Sequence, residues 1–456
     1  MNKKFYLTVT AILMSIGISM AQAQNPECNT NLSIYVEYAK VKNYEEAYNT
    51  WKKTYEECPD INNANFVYGE RILKDKIKNA SGAEKDNYTK DLLSLYDNSN
   101  KYFPKKYTKT SVLEKKVLFK SSNKLASDQE FYDMIKPTFD SDLNSFKNPK
   151  VLYIYFSSLV NLHNSGGKDL QEVFDVYDAV GSQNEVINKR YTTEINKLLQ
   201  KEESGSLTSK EKKNLGIHTR NSESLGKVSG SIDGKLGALA DCENLIPLYE
   251  KNFDAKKSDL NWLKGATSRM ASKECTDSDM FVKIVEARKD IDPSAEIYYY
   301  LGRLKEKSGD KNGAIADYNK SIELESDSYK KSNILYKIAT SVRKNSKSQA
   351  RNYAQKAINA NASNGKAYLL IASLYASSAN SCGTTAFEKR AIYWKAANMA
   401  DKAARVDPSL SGRAKKAASS YRAKAPDKTM IFNAGMAGKT VTFSCWVGGN
   451  VKVPNL

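Results

Sequence analysis

Apolar residues recur at helical spacing through most of this chain, in paired stretches separated by short polar breaks. The pattern is clearest between Ala295 and Ser326. There Tyr298, Leu301 and Leu304, then Ile315, Tyr318 and Ile322, mark one apolar stripe on each of two successive helices. Gly309-Asp310 breaks the chain between them. Gly302 lets the second helix approach the first closely, and Ala314 avoids a clash at the crossing. One such hairpin cannot bury its own apolar face, so further hairpins of the same kind are expected beside it.

Set at position 1 of a 34-residue register, Ala295 opens a stretch that resembles the tetratricopeptide repeat. Tyr298 takes the first aromatic place, Leu301-Gly302 the Leu-Gly pair, Ala314 the mid-repeat Ala and Tyr318 the second aromatic. Ser321 stands where the pattern prefers Ala, and Ser326 where it prefers Pro. The resemblance implies an all-α, helical-hairpin solenoid whose inner helices line a groove. In that register the groove-facing places are Glu296, Tyr299, Arg303, Glu306 and Lys307, with Arg343 and Lys366 from the next two repeats.

Along the chain, Lys3 and Lys4 precede an apolar run from Phe5 to Met20 that ends in Ala21-Gln22-Ala23. Residues 1–23 therefore read as a signal peptide, too short and wrongly flanked for an anchor. No later apolar run is long enough to span a bilayer. Cys28 to Pro59 scans as a first repeat through Tyr38, Ala47 and Trp51, and further hairpins follow at 61–104, 108–143 and 151–180. Residues 183–225 read as two polar helices. The stretch 226–240, opened by the glycine-rich GKVSGSIDGKLG, reads as a flexible linker between N-terminal repeats (24–225) and C-terminal repeats (241–428). Ile334, Ala350 and Ala357 mark one repeat after the strong one. Tyr368, Ile371, Tyr375, Ala396 and Ala403 mark another, interrupted around Cys382. Residues 429–456 change character, with Ile431-Phe432 and Val441-Thr442-Phe443 reading as a β-hairpin or extended tail.

The run SCGTTAFEKRAIYWKAANMADKAARVDP and the closing AGKTVTFSCWV are similar to the C-terminal pattern of exported tetratricopeptide proteins of glycan-harvesting and gliding Gram-negative bacteria, the Bacteroidota type. That resemblance implies a periplasmic place near the outer membrane and a scaffolding task rather than a reaction.

Six Cys in an exported chain suggest three disulfides. Cys28 and Cys58 bracket one predicted hairpin and Cys242 and Cys275 another, which leaves Cys382 with Cys445 and straps the tail onto the last hairpin as a cap. A metal site would want Cys-x-x-Cys spacing or His partners, and neither is present.

Chemistry is sparse. His163 and His218 lie far apart, in polar surroundings that read as loops, outside any nucleophile motif. Gly438-Lys439-Thr440 has the end of a phosphate loop, but Asn433 stands where that motif needs its first Gly. No enzyme activity and no cofactor is expected. Charge is the strong compositional signal. Of a formal net +18, residues 341–456 carry 19 Lys and Arg against four acids. An exported chain has little use for nucleic acid, so the basic end points to an acidic protein face, lipid phosphates or acidic glycan. The sequence reads as a periplasmic scaffold for protein partners of an outer-membrane assembly, secretion or uptake complex. The alternative is a binder of anionic envelope lipid or glycan.

Overall fold

The computed structural model describes residues 26–456. The signal peptide expected at residues 1–23 lies outside them. The fold is all-α, built of successive helical hairpins, with one two-stranded β-hairpin near the C-terminus among the described residues. The chain divides into two compact units, one up to Phe119 and one from Lys120 onward.

The first unit contains α1 (Pro26–Lys40), α2 (Tyr44–Glu57), α3 (Ala64–Asn79), α4 (Gly82–Tyr102) and most of α5 (Lys109–Ser122). Its core is aromatic: Tyr35, Trp51, Phe66 and Tyr96 pack with Ile72, Leu73 and Leu92. Buried Asn65 knits the first helices together. It accepts from the Tyr35 hydroxyl at 2.7 Å, its carbonyl accepts from the Trp51 indole at 2.8 Å, and its amide donates to the Cys58 carbonyl at 2.9 Å. Cys28 and Cys58 are joined, with Cα atoms 6.4 Å apart.

The second unit begins with α6 (Asp128–Asp142), α7 (Pro149–Asn164) and the long pair α8 (Leu170–Glu203) and α9 (Ser209–Leu236). The expected linker is therefore wrong over residues 226–236, which complete α9. Leu225, Val228, Ile232 and Leu236 fall on one stripe and are buried, and that amphipathic spacing outweighs the glycines. Gly226 has a packing reason, because a Cβ there would meet the Ser409 backbone. The division into units lies more than a hundred residues earlier.

Next come α10 (Cys242–Lys256), α11 (Leu260–Ser272), α12 (Asp279–Ile291), α13 (Ala295–Lys307), α14 (Lys311–Leu324), α15 (Ser328–Val342), α16 (Lys347–Ala360), α17 (Gly365–Ala376), α18 (Ala386–Val406) and α19 (Ser411–Lys424). Cys242–Cys275 closes the start of this run. Neighbouring hairpins repeat one polar device. Buried Ser321 on α14 donates to the Ala295 carbonyl at 2.5 Å, and buried Ser332 on α15 donates to the Ala357 carbonyl at 2.7 Å. Each hydroxyl satisfies a backbone group at a helix crossing, Ser321 from the place where the repeat pattern prefers Ala. Helix α8 runs past the turns between hairpins. Lys189 pairs with Asp327 at 3.0 Å, Asn196 bonds Ser363, and Glu202 pairs with Arg405 at 2.7 Å.

The tail differs from its sequence reading in two ways. Ile431 and Phe432 belong to a short helix, α20 (Lys428–Asn433), capped by Asp427. The hairpin instead pairs β1 (Thr440–Thr442) with β2 (Asn450–Lys452), Val441 facing Val451. Cys382–Cys445 holds it. The tail lies on α16 to α18, where Arg351 donates to the Val447 carbonyl at 2.8 Å and Trp446 packs on Tyr375. The last helical layer is covered by α19, whose Ala418 packs against Ala372, Ala397 and Ala400 while Arg413, Lys415 and Lys416 face outward.

Candidate functional site

Helix α13 carries most of the expected groove residues, and its neighbours decide which of them reach solvent. The fully buried positions are Ala295, Ile297, Tyr299, Tyr300 and Gly302. Tyr298, Leu301 and Leu304 are only half-buried, so the stripe is turned by about one position from the sequence reading. The reason is that α13 is covered on two sides. Tyr299 stacks on Tyr318 of α14, while Tyr300 meets Phe281 of α12 edge-on at 5.7 Å.

Tyr299 is therefore a core side chain, not a groove side chain; it is 5% exposed. Burial pushes its hydroxyl pKa up, and burial holds that of Tyr300 well above the ordinary value. Glu296 is half-buried and committed to the fold. Arg288 donates to it at 2.8 Å and Lys337 stands 3.6 Å away. Burial raises its carboxyl, but Lys337 and Arg288 more than offset that and leave it below the usual carboxylate value.

The remaining three residues of α13 do come together. Arg303, Glu306 and Lys307 line a cavity of about 350 Å³ with Leu304, Asp277, Phe281, Lys344 and Asn345. Glu306 is its anchor. It accepts from the Tyr318 hydroxyl at 2.7 Å, the Ser341 hydroxyl at 2.5 Å and the Asn345 amide at 2.9 Å. Lys307 pairs with Asp277. The cavity thus offers the Arg303 guanidinium and the Lys344 ammonium beside half-buried Leu304, with its carboxylates already engaged. Neither Arg303 nor Lys344 pairs with a carboxylate among the described residues.

Arg343 and Lys366 are exposed and lie outside this cavity. Asp277, Phe281, Lys344 and Asn345 were not anticipated, because they come from the turns and helices of adjacent hairpins. The one sequence signal, for Lys344 and Asn345 alone, is the polar run 343–347 that follows α15. The histidines are both helical rather than in loops. His163 in α7 has its Nδ1 2.7 Å from the Lys168 carbonyl, and His218 in α9 faces the Tyr191 ring. Among the described residues no cluster of three His, Cys, Asp or Glu could hold a metal ion.

No protein-family model matches the sequence, and no curated protein matches it. Among solved structures, yeast Tom70 is similar at 11% identity and a TM-score of 0.28, covering 90% of this chain and 99% of that one. A chain from the structure of Naa15/Naa10 bound to HypK-THB is similar at 12% identity and a TM-score of 0.21, covering 87% and 68%.

Proposed function

We propose that the protein is an exported scaffold for protein partners, an accessory subunit of an outer-membrane assembly, secretion or uptake complex, and not an enzyme. The observation that carries this reading is the open cavity between α12, α13 and α15. Its apolar Leu304 and two cations that pair with no carboxylate among the described residues suit an acidic side chain with an apolar neighbour, presented by another chain. Regular hairpins around it supply a rigid frame, which lowers the ordering cost of binding. The compartment is supported by the cysteines, all six of which are paired in disulfides. No helix among the described residues is long and apolar enough to cross a membrane.

The test is site-specific photo-crosslinking in intact cells. A photoreactive residue at position 303 or 344 is expected to capture one discrete envelope protein, and the same residue at position 416 on α19 is not. Capture that is equal at all three positions, or absent at 303 and 344, removes the scaffold reading.

A further inference from the structure

A second cavity, of about 330 Å³, lies where the interruption before α18 meets the end of α19, and it is independent of the first. Its charged lining residues are Lys389, Arg390 and Lys424, beside Tyr393, Asn380 and the small side chains of Ala379 and Ala423. No acidic side chain lines it. The two nearest carboxylates in sequence are occupied elsewhere. Glu388 accepts from the backbone of Thr384 and Thr385, and Asp427 accepts from the Met430 amide.

Arg390 has a structural task. Its Nε and Nη2 donate to the carbonyls of Lys424 and Ala425 at 2.9 and 3.1 Å, closing the C-terminal end of α19. Those partners are neutral, so the guanidinium charge stays uncompensated in the cavity wall. Lys389 and Lys424 have no such task. Neither pairs with a carboxylate among the described residues, and Lys424 rests 5.9 Å above the Tyr393 ring. Three cations in one cavity without an acid cost repulsion, unless an anion joins them.

Arg390 also touches the next element, its Nη1 lying 3.2 Å from the Met430 sulfur in α20. On that short helix Phe432 is 71% exposed, a high value for an aromatic side chain. Lys428 stands four positions before it, on the same helical face, and is also exposed. A cationic pocket beside an exposed aromatic and a further lysine suits the interface of an anionic bilayer. There phosphates meet the cations and the ring enters the headgroup layer.

We propose that this end of the protein binds an anionic membrane surface, with a lipid phosphate seated among Lys389, Arg390 and Lys424 and Phe432 inserted beside it. The proposal does not rest on the scaffold reading, since none of these residues lines the first cavity.

The experiment is co-sedimentation of the oxidised protein with vesicles of phosphatidylcholine alone or with about a third phosphatidylglycerol. Binding is expected only to the anionic vesicles. Lys389→Ala with Lys424→Ala should weaken it roughly thirtyfold, about fivefold per lysine. Phe432→Ala should weaken it roughly tenfold and at high salt as well, because ring burial is not screened. Lys389 and Lys424 bear no ion pair among the described residues and Phe432 is exposed, so unchanged thermal melting of each variant is expected and confirms that it folds. Lys415→Ala with Lys416→Ala, on the exposed face of α19, is the control. If that pair matters as much as Lys389 and Lys424, the binding is diffuse and the site is overturned. If inorganic phosphate binds and the two cavity lysines abolish that, yet anionic vesicles do not bind, the site serves a free phosphate ester and the membrane proposal is overturned.

Discussion

The ring of Tyr318 occupies the space that a side chain at position 302 would need. A Cβ on Gly302 would stand 2.6 Å from Cδ1 of that ring and 3.1 Å from the Ala314 carbonyl oxygen. The contact sets the distance between α13 and α14, so Gly302→Ala must push two helices apart. Its expected cost is about 1–3 kcal/mol, larger than the helix-propensity gain of under about 1 kcal/mol. Gly230→Ala and Gly234→Ala in α9 provide the opposite case, because nothing lies within 4 Å of either Cβ position. Each is expected to stabilise by about 0.5–1 kcal/mol. Thermal melts of the three variants check both signs; stabilisation by Gly302→Ala would refute the packing account.

That comparison also shows what was legible in the sequence. The close approach at Gly302, the hairpin at 295–324 and the pairs Cys28–Cys58 and Cys242–Cys275 follow from spacing along the chain, because each is a relation within one hairpin or across its ends, and Cys382–Cys445 is the pair that remains. Relations between hairpins were not legible. The run 226–236 looked like a linker because glycine is ambiguous between a turn and a close approach, and only the Ser409 backbone resolves Gly226. Tyr299 looked like a groove residue because the register leaves open which flank of α13 the next helices cover. In the first repeat, Tyr38 took the aromatic place by pattern, yet it is 39% exposed and Tyr35 is the buried ring. The cavity around Arg303 needs three neighbouring elements at once, which no local pattern encodes.

Glu70 is the electrostatic hub of the first unit. It pairs with Lys115 at 2.5 Å and Lys74 at 2.7 Å, and accepts from the Tyr96 hydroxyl at 3.2 Å. Burial raises its carboxyl, but the two lysines prevail and lower it from the ordinary 4.5. A carboxylate lowered in the fold contributes stability that is complete above that ordinary value and is lost as pH falls through the folded value. Glu70→Gln is therefore expected to weaken α3 and α4 at neutral pH, by about 1–3 kcal/mol. The deficit should shrink at acid pH, as the native carboxyl is protonated through its lowered folded value. Amide exchange of α3 and α4 at neutral and acid pH measures this. A deficit that stays constant would show that Glu70 acts by packing alone.

The Cys382–Cys445 link closes a loop of 63 residues and is expected to contribute about 4 kcal/mol by restricting the unfolded chain. The tail has other holds, since Lys395 donates to the Gly448 carbonyl at 2.5 Å and Arg351 to that of Val447. Replacing both cysteines with Ser should therefore lower the melting temperature while leaving the tail docked at low temperature. Amide exchange at Val441 and Val451 reads this directly. Full loss of protection there in the folded variant would mean that the disulfide alone holds the hairpin.

Tyr299 and Arg303 stand one helical turn apart on α13 and should fail in different ways. Tyr299 is buried between Tyr300 and Tyr318, so Tyr299→Ala leaves a cavity and should cost about 3 kcal/mol of stability. Any effect on partner capture would then follow the loss of fold. Arg303 reaches the cavity and interacts with the Tyr299 hydroxyl, but bears no ion pair among the described residues. Arg303→Ala should change stability by less than about 0.5 kcal/mol, while costing about 1–2 kcal/mol of partner binding. Melting and partner affinity measured on the same two proteins separate the roles. If Arg303→Ala unfolds the chain and Tyr299→Ala spares it, the assignment of core and cavity on α13 is reversed.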